Sequence, residues 1–190
     1  MIRQFLVESK NSDFSYLELN ATRDGQRPAG YNVDHSRIQI GSGCEAFEKA
    51  KAAVTGWRMF DITWVRLCPE GTPIHVGREV AIVVRHFGFY SLNAARIVYL
   101  LNDVYPVNRF GFAYGTLAEH GEIGEERFSV EFHEKTGEVW YDLYAFSRPA
   151  SFLARAGYPL TRYLQKSFAT DSKLAMFNAV SGVPASQQNM

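Results

Sequence analysis

Hydrophobic and polar positions change rhythm several times along this chain, and each change marks an element. Residues 1–33 keep no period, and "DGQRPAG" marks a loop from Asp24 to Gly30. "HSRIQIG" (35–41) alternates as a strand does. Ser42 then stands three residues before Glu45, a capping-box spacing. Ala46, Phe47, Ala50, Ala53 and Val54 recur at helical spacing, and Gly56 suits the position after a helix end, so a helix is expected near 43–55. The period then becomes two. Strands are expected at 61–67, 77–88, 93–102, 109–117, 125–132 and 138–147, with "FGFYS" turning between the second and third and "EKTGE" between the last two. Finally the period returns to 3.6. Ser147 and Pro149 suit a helix start, Gly157 and Pro159 interrupt it, and from Leu160 a stripe of Tyr163, Leu164, Ser167, Phe168, Asp171, Leu174, Ala175 and Asn178 marks a long helix.

The order is strand, helix, six strands, long helix. Short links between strands predict an antiparallel meander. One long amphipathic helix can cover one sheet face, so the expected architecture is α+β: a curved antiparallel sheet of about seven strands around a C-terminal helix. A single domain is expected, with an N-terminal extension at 1–33 packed on a core at 34–180 and a flexible tail at 181–190.

Composition narrows the function classes. Of 190 residues, 46% are hydrophobic, which argues against disorder. Lys plus Arg and Asp plus Glu are each 20, so the basic excess of a nucleic-acid binder is missing and none is expected as a partner. No apolar run approaches the length of a membrane span, and "MIRQFLVESKNSDF" has no signal-peptide core. Cys44 and Cys68 lack zinc-site spacing and are expected to be reduced thiols of a cytoplasmic protein.

Candidate chemistry concentrates in "GFAYGTLAEHGEIGEERF", Gly111–Phe128. Strand alternation places Phe110, Phe112, Tyr114 and Thr116 on one face, and Gly111, Ala113, Gly115 and Leu117 on the other. The small face either bends the sheet or makes room for something that approaches it. The same rule separates the adjacent acids. Glu125 joins Arg127, Ser129 and Glu131 on a charged face expected to meet water, while Glu126 joins Phe128, Val130 and Phe132. Glu126 is either a strand-end carboxylate in water or on an arginine, with Arg96 and Arg148 as possible partners, or a polar group in a pocket with a raised pKa. His120, Glu122, Glu125 and Glu126 have no recognised metal spacing and read as a solvated turn, so no metal is expected. His86 alternates with Val80, Ile82 and Val84, as a core histidine would. "GSG" at Gly41–Gly43 is a plain strand-to-helix turn, and no phosphate or dinucleotide motif is present, so no cofactor is expected. Arg148, placed at a helix start, would need an acidic partner.

Three stretches, "GSGCEAFEKAKAAVTGWRMF", "FAYGTLAEHGEIGEERF" and "YAFSRP", closely resemble an uncharacterised family designated a domain of unknown function and numbered nineteen-ninety. The resemblance covers roughly 14–180. It departs near "YLELNAT", where this chain has Asn20 in place of the family's Gly; Asn tolerates left-handed backbone, so a tight turn could survive. The resemblance implies kinship with the START and Bet v 1 group, whose helix-grip fold encloses a cavity between sheet and long helix. It implies no activity. On that analogy and on strand alternation, the expected function is binding of a small, largely apolar molecule. Tyr114, Thr116, Glu126, Phe128 and Tyr141 would come from the strands, and Tyr163 and Phe168 would close the pocket from the helix. Two alternatives stand beside it. One is a cyclase- or lyase-like enzyme with Glu126 as acid or base and Tyr114 orienting a carbonyl. The other is a protein-interaction module with Phe110, Phe112 and Tyr114 on the convex face.

Overall fold

The structure, a computed structural model, describes residues 2–86, 88–118, 120–150 and 157–182, without the side chain of His86. The expected interior placement of His86 and the tail beyond residue 182 lie outside these. Seven strands form one antiparallel sheet in the order β1-β7-β6-β5-β4-β3-β2. They are β1 (Asn32–Ser42), β2 (Val65–Cys68), β3 (Glu79–His86), β4 (Phe89–Asp103), β5 (Asn108–Thr116), β6 (Glu122–His133) and β7 (Glu138–Pro149). Six consecutive strands form the expected meander, and β1 extends it by pairing with β7. Helix α2 (Gly43–Thr55) and a 3-10 turn (Arg58–Phe60) follow β1, and α3 (Tyr158–Ser181) closes the chain. This is the helix-grip arrangement that the sequence implied.

The core lies between the sheet's concave face and these helices. Ile40, Val80, Ile97, Phe112, Phe128, Val130 and Tyr141 point inward from the sheet. Val54, Trp57 and Met59 meet them from α2 and the turn after it, and Met176 and Val180 from α3. Trp57 stands edge-on to Phe112 at 4.6 Å, and Phe60 sits between Phe128 and Phe168. Large aromatics dominate here because each removes more apolar surface from water than an aliphatic side chain. Phe112 and Tyr114 are buried in this core, so they form no exposed convex patch.

Several boundaries move. Ser42 makes no side-chain cap on α2; its backbone is still extended, and the hydrogen bonding that orders it belongs to β1. Ser147 and Pro149 belong to β7, where they pair with Asn32 and Glu122; the helix expected to follow them over 151–156 lies outside the described residues, and α3 begins at Tyr158 with Pro159 in its first turn. Its inner stripe is rotated from the expected one: Ser172, Met176 and Val180 are buried, while Tyr163 and Leu174 face out.

The largest departure is the N-terminal extension. It opens with α1 (Ile2–Ser9), and Arg96 of β4 donates to the carbonyls of Ser9, Lys10 and Ser12 at and beyond that helix's end, where a cation complements the exposed carbonyls. Residues 14–27 then lie across the convex face. Glu125, expected to meet water, is only 2% exposed. It accepts hydrogen bonds from the Tyr16 hydroxyl (2.8 Å), the amides of Asn20 (2.9 Å) and Thr22 (3.0 Å), and the Thr22 hydroxyl. A buried carboxylate is tolerated only with such compensation. Asn20 takes φ +68°, the left-handed turn that brings its amide onto Glu125.

Arg127, next on this face, donates to the carbonyls of Thr22 and Arg23 and pairs with Asp142 at 2.6 Å. Gly115 of β5 now has a cause. Gly115 is the strand partner of Glu125, and the Tyr16 ring crosses directly over it to reach the carboxylate. A methyl group on Gly115 would overlap the Tyr16 hydroxyl. Gly115→Ala is therefore expected to lower unfolding free energy by about 1–3 kcal/mol. Glu125→Ala orphans four donors and should cost about 3 kcal/mol or more. Urea denaturation measures both; a neutral Gly115→Ala would contradict the packing described.

Candidate functional site

Toward the end of the sheet where α3 begins, the concave face and the helix stand apart, and a cavity of about 670 Å³ opens between them. That falls within the range of small-molecule sites. Its walls follow from strand alternation. Ile82 and Val84 of β3, Ser91 and Asn93 of β4, Tyr114 and Thr116 of β5, and Leu143 and Ala145 of β7 point into it. Phe60 and Trp64 line it from the segment after α2, and Leu160, Leu164, Phe168 and Ala169 from α3. Trp64 is fixed by donating its indole N–H to Asp171 at 2.8 Å.

Polar groups occupy two places in this wall. The inner one is Glu126, which accepts a hydrogen bond from the Tyr114 hydroxyl at 2.6 Å; the two residues are direct cross-strand partners. Burial pushes the Glu126 carboxyl up to about 7, against the Tyr114 hydrogen bond that lowers it, and nearby Glu122 and Asp34 raise it further. Burial likewise drives the Tyr114 phenol well above its ordinary range, so it stays a donor. Neither arginine considered for Glu126 reaches it. Arg96 pairs with Glu79, and Arg148 lies over the Tyr31 ring.

The second group joins the first turns of α3 to the sheet. Arg162 grips both oxygens of Asp34, Gln165 donates to Glu122 and Ser147, and Asn32 bonds the Tyr158 hydroxyl. Burial raises the Glu122 carboxyl, opposed by Gln165 and Arg162. Burial also pushes the His120 imidazole down to about 4, so it is neutral at pH 7, and its Nδ1 accepts the Glu122 amide. Among the described residues no three His, Cys, Asp or Glu side chains come together as a metal site, and no helix is long and apolar enough to cross a membrane.

The family described as "Domain of unknown function (DUF1990)" matches residues 15–175. The chain belongs to this family. A UPF0548 protein of Dictyostelium discoideum is 37% identical, with 94% of this chain and 91% of the relative covered. A UPF0548 protein of Deinococcus radiodurans is also 37% identical, over 87% of this chain and 86% of its own length. Among solved structures, TTHA0849 from Thermus thermophilus superposes with a TM-score of 0.51 at 10% identity, covering 81% of this chain and 100% of that one. That likeness extends to the fold alone.

Of the seven residues singled out in this DUF1990 chain, the structure brings Tyr114, Thr116, Glu126 and Phe168 to the cavity. The Thr116 hydroxyl is already engaged, by Ser15 and by the backbone of Gly124. Phe128 and Tyr141 are fully buried one layer back, Phe128 among Phe112, Tyr114 and Phe60, and Tyr141 bonded to the Ser172 hydroxyl at 2.8 Å. Tyr163 is 63% exposed and does not close the pocket, because the stripe facing the sheet passes through Gln165, Phe168, Ala169 and Ser172 instead. The sequence reading missed Asp34, Gln165 and Arg162. Asp34 shares a face with Ile38 and Ile40 on β1, and that alternation was the available signal.

Glu126 also fixes a pH dependence. Its folded-state pKa lies above the ordinary carboxylate value of 4.5, so the folded chain holds a proton that the unfolded chain releases. Stability is therefore expected to fall as pH rises from about 4.5 to about 7, by up to roughly 1.4 kcal/mol per pH unit, and the loss is complete above that window. Glu126→Gln should flatten this part of the profile, which urea unfolding at several pH values reads directly. Tyr114→Phe removes the hydrogen bond that favours the charged form, so it should move the Glu126 titration above about 7. Carboxyl carbon chemical shifts measure that step, and a downward move would contradict the assignment.

Proposed function

We propose that this protein binds a small, largely apolar molecule in the cavity between the concave sheet face and α3. The observation that carries the reading is an apolar space of about 670 Å³ with one hydrogen-bonded pair, Tyr114 and Glu126, at its inner wall. Filling such a space removes apolar surface from water at roughly 25 cal/mol per Å², and one or two polar groups suffice to orient the occupant. Tyr114, Glu126, Thr116 and Phe168 would contact it. Phe128 and Tyr141 would stiffen the wall behind them.

A second reading rests on Glu126 itself. A carboxyl poised near 7 beside a neutral phenol can take and return a proton at neutral pH, so the same cavity suits an enzyme with Glu126 as acid or base and Tyr114 as hydrogen-bond donor to a substrate oxygen.

The cavity reading is tested by filling the space. Ala145→Phe, from a half-buried alanine on the cavity wall, should weaken binding of a neutral apolar fluorophore such as Nile red at least tenfold while far-ultraviolet circular dichroism stays unchanged. Unaltered binding in a folded variant would exclude the cavity as the site. Native mass spectrometry of the purified protein gives the occupant's mass. A ligand retained unchanged by Glu126→Gln, together with loss of its conversion, would select the enzyme over the binder.

A further inference from the structure

The charges around Glu126 narrow the occupant's chemistry, on the premise that the cavity binds a ligand at all. The groups that face this carboxyl can be taken element by element. From the sheet they are Asp34 of β1, Tyr114 of β5, Glu122 of β6 and Tyr141 of β7, all acidic or neutral. His120, in the segment before β6, is neutral at pH 7. Among the described residues, the cations nearby come from α3. Arg162 is committed to Asp34 through both of its terminal nitrogens. Lys166 reaches the cavity edge from an exposed position and forms no ion pair among the described residues.

Glu126 therefore has a single partner among the described residues, the Tyr114 hydroxyl on Oε2, and its Oε1 accepts nothing from them. Asp34 and Glu122 add negative potential to the same space, and Glu122 Oε1 is itself buried without a partner among those residues. Among the described residues Glu126 thus has no cationic partner of the kind that normally holds a carboxylate out of water. The rings of Tyr114, Phe60 and Phe168 line the same cavity, and aromatic rings attract cations as well as apolar groups. The described acids do not assemble as a metal site, which directs the missing charge to an organic cation.

We propose that the cavity takes a ligand with an apolar body and a protonated amine, the ammonium donating to Glu126 Oε1 while Tyr114 holds Oε2. Binding of such a ligand couples to ionisation of Glu126: the complex forms with the carboxylate, so affinity rises with pH until that group is fully charged. An alkyl ammonium stays protonated throughout this range. A neutral ligand of the same shape has no such dependence and does not oppose burial of the charge.

The test compares two probes of matched shape, 2-(1-naphthyl)ethylamine and 2-(1-naphthyl)ethanol, by isothermal titration of the full chain at pH 6, 7 and 8. The expected result is that the amine binds at least tenfold more tightly than the alcohol at pH 8, with the ratio shrinking toward pH 6. Glu126→Gln should bring the ratio close to one and remove its pH dependence. The pH series on the wild-type chain stands on its own if that variant does not fold. Equal or tighter binding of the alcohol at every pH overturns the amine assignment and leaves the apolar cavity reading intact. Binding of neither probe, with Nile red also excluded, overturns both.

Discussion

The period-two alternation along β6 is the constraint on which the rest of this structure depends. Successive side chains leave a strand in opposite directions, so two adjacent glutamates serve two opposite surfaces. Glu125 faces the convex side and gathers four hydrogen bonds from the N-terminal segment. Glu126 faces the concave side and shares its carboxylate with Tyr114. A one-residue slip in register would exchange them, placing a heavily bonded carboxylate in the cavity and a sparsely bonded one under the extension. The strand is held against such a slip by twelve paired positions with β7 and by Gly115 opposite Glu125, where only glycine leaves room for the Tyr16 ring.

The two faces are built by different physics. The concave face is an apolar layer closed by α2, the 3-10 turn and α3. The convex face is a polar layer in which Glu125, Arg127 and Asp142 are nearly inaccessible: Glu125 and Arg127 bond the chain laid over them, Arg127 pairs with Asp142, and Arg127 Nε is buried without a partner among the described residues. His35 and Arg37 of β1 reach the same Asp142 from the side. Burying charge in this way contributes less to stability than packing hydrocarbon, but removing one partner is expensive. The extension is thus joined to the sheet through specific contacts that only one placement satisfies. The apolar face, by contrast, borders a cavity where the helix diverges.

Much of this was legible in the residues. The periodicities located every strand and both long helices, and the helix at Gly43–Thr55 begins and ends where the apolar spacing does. The direction of Glu126 followed from Phe128 and Val130 beside it. What remained hidden was whatever depended on distant chain. Glu125 looked solvated because its neighbours Arg127 and Glu131 are charged, and nothing local announces that Tyr16, Asn20 and Thr22 will cover it. The stripe on α3 was misplaced for a related reason. Polar Ser172 faces inward to meet Tyr141, and Leu174 faces outward, so tertiary contact overrides the hydrophobic ranking. Gly111 and Gly115 of β5 pointed to crowding; the group that crowds Gly111 is the adjacent strand β6, but the one that crowds Gly115, Tyr16, lies far away in sequence, on the N-terminal extension.

The helix α3 is bonded unequally along its length. Near its end, Met176 and Val180 enter the core beside α2 and β1. At its start, the contacts are Arg162 with Asp34, Gln165 with Glu122 and Ser147, and Tyr158 with Asn32. Water can replace every contact of the second kind and none of the first. The helix is therefore held by apolar packing near its end and by polar contacts at its start, and the start is the part that borders the cavity. Salt screens the Arg162–Asp34 pair, and kosmotropic salts strengthen the apolar packing around Met176 and Val180, so such salts act in opposite senses on the two ends of the helix.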